Sequence, residues 1–363
     1  MKERFFCRHA WVFAATLFLL PTSSFAQTAR DQLKQEIARL EKALASKPDA
    51  GDFWEDAKPD LKQSLARARE SLAAGRIYLA IADLESASTR FGGLVAATGN
   101  PAIVKSGLKA FDEEWRRGDQ ELKALETRYS AEEWTETPAA VRGIAETDWI
   151  ETRTLYQASR PYAEATSAEY GLIYLGQAQA SAEFALFSRL LRFPALAPQP
   201  PVRSVAAEIQ RLEDRVLAAY KPPLSIDRHT DFIRISAALK VAKELDVAHL
   251  DYGALYKYLD AAEMFGLLTA PPGNVNRSVA LHKEAAQIRT RLATNAADHS
   301  LAQFFLERAE RSLKTPDAIH LQAAQVRLEQ VIPAYFAAIG KPEARAVVAG
   351  NPITITLVRW PYT

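Results

Sequence analysis

Sulfur is nearly absent from this chain, which has one cysteine, Cys7, and two methionines in 363 residues. Cys7 stands ahead of the apolar stretch Ala10 to Leu20, inside a segment with the marks of a removable export signal. Lys2, Arg4 and Arg8 make its positive start, and Ser24 and Ala26 are the small residues read before cleavage between Ala26 and Gln27. A chain cut there has no cysteine, hence no disulfide, no thiol chemistry and no thiolate metal site. A long extracellular chain of a eukaryote would normally use disulfides, so the expected location is periplasmic or secreted, in a bacterium.

A surplus of either charge is also missing. Residues 1–26 take Lys2, Arg4, Arg8 and Glu3 with them, leaving 337 residues with 42 basic and 43 acidic side chains and a formal net charge of −1. That balance gives no field to draw nucleic acid or an anionic membrane. Long apolar runs are absent too. The 11 residues from Ala10 to Leu20 fall short of the roughly 18 needed to cross a bilayer, so the chain is not expected to span a membrane. Glycine is scarce, at 15. None sits in a phosphate-binding loop or dinucleotide fingerprint, and no nucleophile elbow or zinc-protease helix occurs. No cofactor is expected, and no reaction is assigned.

What the chain does have is helix-forming composition, rich in Ala, Leu, Glu, Arg and Gln. Apolar residues recur at helical spacing, as in Leu61, Leu65, Ala68 and Leu72, or Leu301, Phe304, Phe305, Ala309 and Leu313. The spacing predicts an all-α fold of irregular stacked helical hairpins. Thr137-Pro138 and Thr315-Pro316 read as helix starts, and Ser130 with Glu133 as a capping box. Breaks are expected near Pro48, Gly92-Gly93, Pro222-Pro223, Pro271-Pro272-Gly273 and Gly340, with kinks or splits at Pro161 and Pro333. Residues 27–193 form an N-terminal helical region and 202–345 a C-terminal one. The proline-rich 194–201 is either a linker or a rigid loop between them. In 346–363, the alternation Ile353-Thr-Ile355-Thr-Leu357 predicts a short C-terminal β strand or hairpin.

The strings around Gly75, Gly171 and Gly253 share Gly-x-aliphatic-Tyr, which suggests equivalent places in three hairpins. Residues 61–91, with Ala68, Gly75, Ala80, Leu84 and Ala87, resemble a tetratricopeptide repeat, although its usual aromatic start is missing. The resemblance implies stacked helical hairpins and a binding role, and it implies no catalytic residue.

Several side chains invite chemistry. Trp54, Trp115, Trp134 and Trp149 each adjoin acids, and an acid beside an aromatic face can hold an amine or a quaternary ammonium, or work on a sugar as half of an acid-base pair. The plainer reading packs each tryptophan on a neighbouring helix and leaves its acids in water. Tyr170 with Tyr174, and Tyr252 with Tyr256, share helix faces that could line an amphipathic pocket or simply pack. His229, His249, His282, His299 and His320 show no one-turn pairing, so no metal site is expected. Taken together, the residues point to an exported, non-catalytic helical protein that binds a protein, peptide or cell-envelope partner. Two alternatives stand beside it, an all-helical toroid enzyme on envelope or extracellular polysaccharide and a small-ligand binder using the tyrosine faces. The toroid reading lacks the Asn-Asn-His-x-x-Trp string of alginate lyases.

Overall fold

The computed structural model describes residues 28–49, 53–131, 137–194, 197–222 and 226–339. No strand occurs among them, and extended backbone pairs only in an isolated antiparallel bridge between Val202 and Ile339. The export segment with its cleavage site and the proposed β segment 346–363 both lie outside the described residues, so the C-terminal strand gains no support. No described helix is long and apolar enough to cross a membrane.

The helices are α1 (Ala29–Ala45), α2 (Trp54–Ala73), α3 (Ile77–Gly99), α4 (Pro101–Ser106), α5 (Leu108–Ala131), α6 (Ala139–Ala165) and α7 (Ala168–Arg189), followed by α8 (Ala206–Ala219), α9 (His229–Val247), α10 (Asp251–Thr269), α11 (Ser278–Ala293), α12 (Ser300–Leu313), α13 (Ala318–Val326) and α14 (Ile332–Ala338). α7 lies between α6, α3 and α5 and has buried residues around most of its circumference. Gly92 and Gly93, expected to break a helix, instead lie inside α3, where they let it approach α7. A side-chain carbon on Gly92 would sit 2.5 Å from Ala180 Cβ and 2.9 Å from the Gly176 carbonyl oxygen. α1 and α2 cover the other side of α3 with Leu33, Ile37, Leu40, Leu61, Leu65 and Leu72.

A second core joins α8 to α14, and Leu79, Ala140 and Ile150 from the first half belong to it. The proline-rich segment is pinned to both halves. Pro198 accepts from the Asp298 N–H at 2.8 Å and Pro200 from the Tyr252 hydroxyl at 3.1 Å, while Gln199 donates to the Thr137 carbonyl.

The turns revise the internal correspondence. α2 ends in a Schellman motif, with Arg76 N–H donating to Ser71 O (2.8 Å), Gly75 N–H to Leu72 O (3.2 Å) and Gly75 at φ +76°. α9 ends the same way, with Leu250 N–H on Leu245 O (3.0 Å) and His249 N–H on Asp246 O (3.1 Å), but the left-handed position is filled by His249 at φ 58°. The counterpart of Gly75 is therefore His249. Gly171 and Gly253 sit in the first turns of α7 and α10, and a side chain on Gly253 would strike Glu146 Cβ at 2.8 Å.

The expected caps are replaced by caps from afar. α6 begins at Ala139, whose N–H donates to Asp298 at 2.7 Å, while that of Ala140 donates to Ser300 Oγ at 2.9 Å. In the first turns of α3 and α10, Leu79 N–H donates to Glu307 (3.2 Å) and Gly253 N–H to Glu146 (2.7 Å). These donors have no partner within their own helix, and the positive end of the helix dipole favours a carboxylate there. α13 is capped by Asp317 rather than Thr315. Ser130 falls in the last turn of α5, so it starts nothing. Pro161 is carried within α6 without a break. Pro333, which cannot donate to the helix ladder, follows a π-helical stretch from Arg327 to Val331 between α13 and α14.

Candidate ligand-binding cleft

The residues singled out by sequence scatter. Trp115 on α5 stacks on Tyr156 of α6 (4.9 Å between centroids, 14° between planes), and Trp149 on α6 stacks on Tyr129 of α5 (4.4 Å, 3°). Trp54 is buried against Phe91 at 6.1 Å. Trp134 lies outside the described residues. Tyr170 is exposed with its ring edge-on to Phe53, and Tyr174 stacks on Tyr162 at 4.1 Å. Tyr252 is buried beneath the Arg142 guanidinium, 4.9 Å from its ring. Tyr256 is the exception. Its half-buried ring packs 5.7 Å from Phe304 beside a group of ionisable side chains.

That group gathers where α3, α6, α10 and α12 meet. α3 brings Glu85 and Thr89, and α6 brings Asp148 and Glu151. α10 brings Tyr256, Lys257 and Asp260, and α12 brings Arg308. Glu85 with Thr89, Asp148 with Glu151, and Tyr256 with Asp260 each share a helix face through three- or four-residue spacing. Asp148 is only 3% exposed. Solvent still reaches the walls, since the side chains of Lys257, Arg308 and Asp260 keep 17%, 23% and 26% of their exposure. Behind the cleft, Glu263 accepts from Arg327 at 2.8 Å and pairs with Arg308 at 3.1 Å, while Arg327 also donates to Ser312 Oγ at 2.6 Å.

The bases are already engaged. Lys257 Nζ donates to Glu151 at 2.6 Å; burial alone would lower its pKa, but Glu151 and Asp260 outweigh that and hold it near 12. Arg308 is shared between Glu263 and Asp260. Two carboxyls are left over. Glu85 receives one hydrogen bond among the described residues, from Thr89 Oγ1 at 3.1 Å. Burial, then repulsion from Glu151, pushes its pKa up to about 7. No described hydrogen bond reaches the Asp148 carboxylate, and its Oδ2 is fully enclosed. Burial and the nearby Glu85 and Glu151 push it well above the usual carboxylate range. Among the described residues, no three His, Cys, Asp or Glu side chains group as a metal site.

The plainer of the two sequence readings left Asp148 in water beside Trp149. Consecutive helical residues point about 100° apart, so Trp149 faces α5 while Asp148 faces inward. Glu85, Lys257 and Arg308 went unnoticed. The available signal was a charged residue at a helix position whose neighbours three and four away are apolar, as Arg308 is to Phe304 and Phe305. No family model matches the chain, and it matches neither a curated protein nor a solved structure.

Proposed function

We propose that the protein is exported, does no chemistry, and binds a cell-envelope partner by taking a small polar group of it into the cleft between α3, α6, α10 and α12. The observation that carries this reading is the Asp148 carboxyl, buried with no described hydrogen-bond partner where four helices meet. Buried polar groups are almost always paired, and an unpaired carboxyl next to side chains that keep part of their exposure is where a ligand's donor would be taken up. Tyr256 supplies the aromatic wall that the small-ligand reading asked of the tyrosines. The polysaccharide-enzyme reading drew on size, export and acid-flanked tryptophans, of which Trp115 and Trp149 stack on Tyr156 and Tyr129 between α5 and α6.

The test is a melting experiment with a low-molecular-mass extract of the cell envelope. The chain beginning at Gln27, verified by intact mass, should melt at higher temperature with extract, and the Asp148→Leu variant should not respond. No shift, or an equal shift in a variant whose circular dichroism matches the parent, would overturn the reading.

A further inference from the structure

We propose that His299 is an acid-sensitive latch on the joint between the two helical halves, holding it closed while neutral and releasing it once protonated. His299 is buried, whereas His229, His249, His282 and His320 are exposed. Its Nδ1 meets the hydroxyl of the buried Tyr335 at 2.8 Å, and its ring lies 5.5 Å from that of Phe336. Its Nε2 is enclosed without a described partner. The residues on either side close the joint. Asp298 accepts from the Ala139 N–H at 2.7 Å and the Ser300 N–H at 2.8 Å, its own N–H donates to Pro198 O at 2.8 Å, and Ser300 Oγ accepts from the Ala140 N–H at 2.9 Å. One turn beyond Tyr335, Ile339 donates its N–H to the Tyr335 carbonyl at 3.1 Å and bridges to Val202. One buried imidazole therefore stands where the start of α6, the proline-rich segment, the start of α12 and the end of α14 come together.

A neutral imidazole suits this place and an imidazolium does not. Both nitrogens of the charged ring donate; the Tyr335 oxygen can receive one proton, and no described acceptor stands at Nε2 for the other. The carboxylate beside it, Asp298, already has an oxygen on each of two backbone N–H groups, so a charged His299 could draw on it only by taking it from the start of α6 or of α12. Arg291 of α11, over the Phe336 ring at 4.3 Å, opposes a second positive charge. From α3 and α10, Tyr78 and Tyr252 face Asp298 as phenols whose pKa burial raises, so they stay neutral, and Arg142, a turn into α6, is paired with Glu146 at 2.7 Å. Burial, opposed by Asp298 and reinforced by Arg291, lowers the His299 pKa from its ordinary 6.5. The closed state therefore holds less of the proton than the opened chain. Its contribution to stability is full above about pH 6.5 and is lost as pH falls below that value. Glu85 and Glu307, held near 7, act in the opposite sense, so a loosening in acid cannot come from them.

Hydrogen exchange read by mass spectrometry tests this on the chain from Gln27 at pH 7.5 and 5.0, with protection corrected for the intrinsic exchange rate at each pH. If only the open form takes the proton, with the ordinary value of 6.5, opening at pH 5.0 is favoured by up to about thirtyfold over pH 7.5. Peptides covering 138–142, 298–301 and 335–339 should therefore lose about fivefold to thirtyfold of their protection in acid, while α9 keeps its own. The His299→Gln variant cannot take up the proton and should show no such loss. Equal losses in parent and variant, no loss in the parent, or a loss as large in α9 as at the joint would overturn the latch. Should His299→Gln fail to fold, His299→Phe serves in its place. Should both fail, NMR titration of the His299 ring in the parent decides: a midpoint below 6.5 supports the latch, and one at or above it overturns the latch.

Discussion

Replacing Glu307 by glutamine should stabilise the protein at pH 8 and have a much smaller effect at pH 5. Glu307 is 3% exposed, with Leu79 N–H at 3.2 Å and Gln303 Nε2 at 3.1 Å as its partners. Those bonds favour its charge, but burial outweighs them and pushes its pKa up to about 7 from an ordinary 4.5. Between those values the folded state holds a proton that the unfolded chain has released. This group therefore makes stability fall as pH rises from about 4.5 to about 7, and the loss is complete above that window. The gap corresponds to about 3 kcal/mol. Glutamine keeps an oxygen for the Leu79 N–H, and Gln303 can turn its amide to receive the new NH2, so the variant lacks the penalty without opening a cavity. With about 2.1 cal/mol/K of unfolding entropy per residue over roughly 300 residues, the gain at pH 8 is about 4 to 5 °C in melting temperature. Differential scanning calorimetry of both chains from pH 5 to 8 isolates the group, because other titrations cancel in the difference. A constant difference, or a variant less stable at pH 8, would refute the reasoning.

Gly75→Ala should cost about 1 kcal/mol in urea unfolding through backbone strain alone, because nothing lies within 4 Å of the added carbon; Gly75→Asn should cost less. Gly176→Ala forces apart α3 and α7, since its new carbon would meet Gly92 O at 2.6 Å, and a loss of about 1 to 3 kcal/mol is expected by chemical denaturation. Glu263→Ala leaves Arg308 and Arg327 facing each other without their shared anion, and should cost about 3 kcal/mol or more; an unchanged urea midpoint would show that the pair is not coupled as drawn.

The helical class was legible because burial imposes a 3.6-residue period that sequence displays directly, as at Leu61, Leu65, Ala68 and Leu72. Helix starts were less legible. Thr137 and Thr315 were local candidates, but α6 is capped by Asp298, 159 residues away from Ala139, and α3 by Glu307, 228 residues from Leu79. No local window contains such a partner. Gly92 and Gly93 misled because glycine marks both a chain break and a close helix crossing, and only the facing Gly176 distinguishes the two. The cleft was hidden for a related reason. Asp148 and Glu85 look like ordinary surface acids until four helices, distant in sequence, are brought around them.

The borrowed caps also set an order of events along the chain. α3 and α6 lie in the first half, yet the carboxylates that complete their first turns belong to residues 298 and 307. A fragment ending near residue 200 would carry both starts open to water, at a cost of about 1 kcal/mol each. Those two starts are therefore completed only when the late helices dock, through contacts of long sequence separation that are slow to form. For a chain threaded through a membrane unfolded, as the export proposal requires, that leaves whatever forms before residue 307 appears less stable than it is in the finished protein.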